Sequence, residues 1–172
     1  MDLSQLSPSD AVVTLRGLER RYRGLFAGLG EDESPDDLAH RSAGGWSAAE
    51  HVVAAARGIA AADRALATVL TVDSPTVAAA DVDPAAGPRS TVPSGPLQDR
   101  LAELGLEANA AADRIDRVAA EDWSRPATVD DGSGRTVTAL DIARAAVDTG
   151  ITHLREAEKV LAAVRGRPPA TG

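Results

Sequence analysis

Four stretches of this chain carry apolar residues at i, i+3 and i+4 spacing behind a helix-starting signal, so helices packed on one another are what it is most constrained to form. The first opens at Ser7, a candidate N-cap, with Pro8 at the first helical position and Asp10 completing a capping-box-like pair. Val12, Leu15, Leu18, Tyr22, Leu25, Phe26 and Leu29 follow, and Gly30 supplies a stop, which predicts a helix over 8–29. Ser47 and Glu50 form a capping box ahead of Val52, Val53, Ala56, Ile59 and Leu66, predicting a second helix over 48–71. Leu97, Leu101, Leu104, Ala108 and Ile115 predict a third over 96–120. Thr138 and Asp141 cap a fourth over 139–165, which Gly166 and Pro168 end, leaving 167–172 as an expected disordered tail.

The connections set the expected topology. The acidic run from Glu31 to Asp37 opens a predicted loop that reaches Gly44 and Gly45. The stretch from Val72 to Gly95 carries Pro75, Pro84, Pro88 and Pro93, and its sequence reads as too broken for a helix or a paired strand. A connection of about twenty residues can cross the length of a helix, whereas turns of about 2–8 residues enforce antiparallel neighbours. The expected fold is therefore all-α, one domain over 1–172: a four-helix bundle, up-down-down-up, with the long crossover between the second and third long helices. Asp131-Gly132-Ser133-Gly134 is a turn signal able to tip a short hairpin before the last helix.

Composition supports helices and narrows function. Hydrophobic residues make up 44% of the chain but aromatic ones only 2%, so alanine dominates the apolar fraction, and alanine loses no side-chain entropy on entering a helix. Lys159 is the single lysine; the preference for arginine fits GC-rich coding. A net charge of −8 opposes a grip on DNA or RNA, whose affinity rests on phosphate neutralisation. With no cysteine, disulfides, thiolate nucleophiles and cysteine-held metal centres are excluded from this chain's own chemistry. The start, Met1-Asp2-Leu3-Ser4, has neither the basic nor the apolar region of a signal peptide, and no run approaches the ~18 apolar residues of a membrane span. The expectation is a cytoplasmic protein with no membrane partner.

Several residues carry two readings. Trp46 either lines a ligand cleft or packs as a hydrophobic staple beside the second helix. Glu50 is either a general base or simply the capping-box partner of Ser47. Arg57, Arg144 and Arg155 suit carboxylate or phosphate binding, or else pair locally, as Arg64 with Asp63 and Glu156 with Lys159 would. Trp123 reads as packing and His40 as surface. The glycines near Asp131 lack the strand-to-helix setting of a phosphate loop.

The run Gly45-Trp46-Ser47-Ala48-Ala49-Glu50-His51-Val52-Val53 resembles the start of the second helix in DinB-like four-helix-bundle proteins. Gly134-Arg135-Thr136-Val137-Thr138, leading through Asp148 to His153-Leu154-Arg155-Glu156-Ala157, is similar to their fourth. The group includes metal-dependent thiol S-transferases and mycothiol-dependent maleylpyruvate isomerases. The resemblance implies a divalent metal held by a histidine eight residues after the tryptophan and by two ligands four apart on the last helix. Here those positions are Ala54, Thr149 and His153. Two functional classes follow. One is a metal-free small-molecule-binding or regulatory protein whose cleft, between the second and fourth long helices, is lined by Trp46, His51, Ala54, Thr149 and His153. The other is a thiol S-transferase or isomerase in which a shifted set, His51, Asp148 and His153, holds zinc or nickel and works with a mycothiol-like thiol. A homodimer formed through an exposed apolar helix face is a third possibility for partners.

Overall fold

The computed structural model describes residues 5–27, 34–42, 45–83 and 95–165. Six helices are present among them: α1 (Pro8–Leu25), α2 (Pro35–His40), α3 (Ala48–Thr71), α4 (Ala79–Val82), α5 (Leu97–Asp116) and α6 (Ala139–Val164). Three short strands, β1 (Thr76–Ala78), β2 (Pro126–Asp130) and β3 (Thr136–Thr138), form one sheet in that order. The chain is mostly helical, and no helix among the described residues is long and apolar enough to cross a membrane.

The caps read in the sequence are formed. Ser7 with Asp10, Ser47 with Glu50 and Thr138 with Asp141 each make a reciprocal capping box, satisfying N–H groups that a helix start leaves without partners. Two helix ends differ from the expectation. α1 stops at Leu25 because its last turn tightens, the Phe26 and Ala27 amides bonding the carbonyls of Arg23 and Gly24; Leu29 lies outside the described residues. α5 ends at Asp116 in the same way, with Val118 N–H on Ile115, and a separate 3-10 turn (Ala120–Ser124) carries the chain toward β2. The expected tail at 167–172 also lies outside the described residues.

Two segments read as loops contain structure. Ser34 caps α2, Pro35 occupies its first turn and Asp36 and Asp37 face the positive end of its dipole, while Leu38 and Ala39 are fully buried. The segment after α3 supplies β1, parallel to β2 with Val77 opposite Val129, followed by α4. Pro75 does not prevent this, because it precedes the strand and its carbonyl accepts the Thr128 N–H. The hairpin at residues 131–134 is formed, antiparallel β2 and β3 being joined through Gly132 and Gly134 at φ of 73° and 72°, where a side chain would be strained.

The four long helices share one core with the inner faces of the strands, where Val77, Ala127, Val129 and Val137 are buried. α3 packs against α6 and α5, and α1 against α5 and α6. Contacts between α1 and α6 ascend together: Arg144 Nε donates to the Leu6 carbonyl, Tyr22 Oη to the Gly150 carbonyl at 2.9 Å, and Arg165 Nη2 to Leu25. Between α3 and α6 they descend, His51 meeting His153 and Gly58 meeting Thr149. Small residues let these two helices approach closely: a Cβ built on Gly58 would lie 2.5 Å from Thr149 Cγ2. Asp63 holds Arg114 of α5 through two hydrogen bonds of 2.6 and 3.0 Å, in place of the expected pairing with Arg64. Adjacent residues on a helix do not face each other.

Candidate functional site

His51 lies in the first turn of α3 and His153 in the second half of α6, and the antiparallel pairing of those helices brings their rings together. Nδ1 of one is 3.1 Å from Nδ1 of the other. The ring centroids are 5.4 Å apart, so the nitrogen–nitrogen vector and the two ring radii together use up the whole separation. Centroid, nitrogen, nitrogen and centroid therefore lie close to one line, the arrangement a linear N–H···N hydrogen bond requires. In an N–H···N bond of this geometry one ring donates and the other accepts, the roles being set by the tautomers.

Trp46 covers the pair. Its ring is nearly parallel to His153, 9° between planes and 5.8 Å between centroids, and 5.1 Å from His51. Because Ser47 is the N-cap, Trp46 and His51 occupy the two positions of a hydrophobic staple, so the staple reading and the cleft reading describe the same contact. Glu50 Oε2 accepts the Ser47 N–H at 2.6 Å, its capping role.

Burial lowers both histidine pKa values, and the negative charge of Glu156 opposes it. For His51, Glu50 opposes it as well. His153, which also faces the His51 charge, falls to about 4. Both rings are neutral at pH 7. Among the described residues no protein group bonds either Nε2, and Arg100 Nε is the buried side-chain polar atom without a partner. His51 is only 9% exposed and His153 is half-buried.

The other expected residues divide. Ala54 is half-buried one turn along α3 from His51. Thr149 is buried against Gly58, and its hydroxyl donates to the Ala145 carbonyl at 2.9 Å, which commits it to the helix contact. Asp148 accepts from the Thr152 hydroxyl, and no group of three or more His, Asp or Glu residues able to hold a metal occurs among the described residues. The three-ligand site implied by the resemblance does not fit the side chains present, because Ala54 has no donor atom and the Thr149 hydroxyl is engaged. Nor do the paired imidazoles suit a shared ion. Their separation is close to what two nitrogens on a tetrahedral zinc span, but both Nδ1 lone pairs point along the line between the rings and not at a common point off it.

Of the arginines, Arg144 is held by Leu6 and, at 3.9 Å, by Asp141, while Arg57 and Arg155 are exposed. Glu156 pairs with Lys159 at 2.6 Å as expected; its nearness to the histidines was not anticipated, though its place three residues after His153 signals it. Trp123 packs on the core and His40 is exposed. Large apolar side chains exposed among the described residues are Val13, Val72 and Leu106. No family model matches the chain, and no curated protein or solved structure matches it.

Proposed function

We propose that this is a DinB-like protein, an up-down-down-up four-helix bundle made of α1, α3, α5 and α6, that binds a small molecule between α3 and α6 without a resident metal, as a binding or regulatory protein. The ascending contacts of α1 with α6 and the descending contacts of α3 with α6 support the helix order. One observation carries the functional reading: two imidazoles meet through Nδ1 at 3.1 Å beneath a half-buried indole, with no described protein group bonded to either Nε2. Polar groups that converge beside apolar and aromatic surface, with hydrogen-bonding capacity left over, are what a ligand site offers. The net charge of −8 argues for a small molecule over nucleic acid as partner.

The test is a fragment screen on the purified protein, read by amide chemical shifts. Fragments that move Trp46, His51, Ala54 and His153, and lose that effect in His51→Gln and His153→Gln, support the reading. Shifts confined to other surfaces refute it. A screen in which fragments bind only after zinc or nickel is added favours the thiol S-transferase or isomerase alternative.

A further inference from the structure

We infer that the cavity between the C-terminal ends of α3 and α5 binds a small amphipathic monocarboxylate, an apolar body carrying one carboxylate, with Arg117 as its counter-ion. The cavity holds about 430 Å³, within the range of about 300–1,000 Å³ that small-molecule sites occupy. Leu70, on its wall, follows His51 on the same helix by about 28 Å, so this site is separate from the histidine pair and does not rest on it. Leu70 of α3, Ala110 of α5 and Val118 just beyond α5 supply the apolar wall, each with surface that the fold leaves uncovered.

Charge balance names the ligand. Asp113, Arg114, Arg117 and Asp122 also line the cavity, and all but Arg117 are met by an opposite charge of the protein. Arg114 holds Asp63 through its two short hydrogen bonds. Asp113 accepts from Arg16 at 2.9 Å; Asp116, which shares that arginine at 3.6 Å, is not part of the cavity wall. Asp122 pairs with Arg125 at 3.6 Å. Arg117 closes α5 with its backbone N–H on the carbonyls of Arg114 and Ile115, but among the described residues its guanidinium has neither an ion pair nor a hydrogen bond. The negative end of the α5 dipole offers it only about half a charge, spread over the last turn, and the planar fork of N–H donors is left without protein acceptors. The cavity therefore carries one positive charge without a partner, in a chain whose net charge is −8. A carboxylate matches that fork in shape and charge. A dianion such as a phosphate ester would bring a second negative charge toward Asp113 and Asp122 with no second free cation to meet it, so the balance selects a monoanion.

The experiment is a titration of the full chain with sodium octanoate at pH 7, below its micellar concentration, followed by amide chemical shifts. The expected result is saturable shifts at Leu70, Ala110, Arg117 and Val118, with Trp46, His51 and His153 unmoved. Arg117→Gln, at an exposed position, should weaken binding by about tenfold or more, the loss of one charge-assisted hydrogen bond. 1-Octanol keeps the apolar body without the charge and should bind the unaltered protein more weakly than octanoate by a similar factor. Absence of shifts at the cavity residues, or equal octanoate affinity with and without Arg117, would overturn the site. Octanol binding as tightly as octanoate would overturn the carboxylate as ligand class. Octanoate shifts confined to Trp46, His51 and His153 would overturn this cavity while supporting the ligand site between α3 and α6, so the two readings fail separately.

Discussion

Replacing Gly58 by alanine tests the contact that sets the spacing of α3 and α6 below the histidine pair. The new Cβ would sit 2.5 Å from Thr149 Cγ2, with Cβ and Oγ1 of Thr149 at 3.6 and 3.7 Å. The methyl cannot rotate away freely, because the Thr149 hydroxyl donates to the Ala145 carbonyl, a bond worth about 1 kcal/mol. Alanine returns at most about 1 kcal/mol through helix propensity, whereas overpacking a close contact costs about 1–3 kcal/mol. The expected net loss is about 1–2 kcal/mol, a fall of roughly 2–8 °C in Tm for a chain of this size. Thr149→Ser removes the obstructing methyl and keeps the hydroxyl. In that background Gly58→Ala should be neutral or stabilising, so the double-mutant cycle should show a coupling of about 1–2 kcal/mol by thermal and urea melts. Equal losses in both backgrounds would refute the claim that this methyl sets the helix spacing.

Acid should weaken the fold through the histidines. The folded pKa of His153 is about 4, below its ordinary 6.5, so the unfolded chain binds the extra proton and stability is lost as pH falls from about 6.5 to about 4. Allowing for solvent screening at a partly exposed ring, the loss is about 1–2 kcal/mol, and melts across that range should be less pH-dependent in His153→Gln. Asp63→Asn removes the charge from the two-bond link between α3 and α5 and should cost about 1–2 kcal/mol in urea unfolding. Asp36→Ala leaves the Leu97 N–H at the start of α5 without its 2.6 Å partner and should cost about 1 kcal/mol, seen as faster amide exchange in the first turn of α5.

Legibility in the sequence followed the range of each interaction. Ser7, Ser47 and Thr138 announced their helices because a cap and its partner lie three residues apart, and the glycines at 132 and 134 marked a hairpin for the same local reason. Ser34 and Pro35 carried an equally local signal for α2, obscured by the acidic run around them. Strand β1 had no such signal: three residues are extended because Val77 finds Val129 about fifty positions later. The histidines could be singled out by their places on two helices, but the meeting of their Nδ1 atoms depends on how far α3 slides along α6, which Gly58 and Thr149 decide. Thr149 lies on that seam against Gly58, yet its hydroxyl turns back to its own helix, the habit of threonine within a helix.

The metal-free reading of the site rests on His51 and His153 meeting through Nδ1 while Ala54 and the engaged Thr149 hydroxyl offer an ion no donor. Calorimetric titration of zinc into chelator-stripped protein at pH 7 tests it most directly. The expected result is no stoichiometric binding event that His51→Gln and His153→Gln both remove. One equivalent of zinc bound with submicromolar affinity, and lost in both variants, would contradict it.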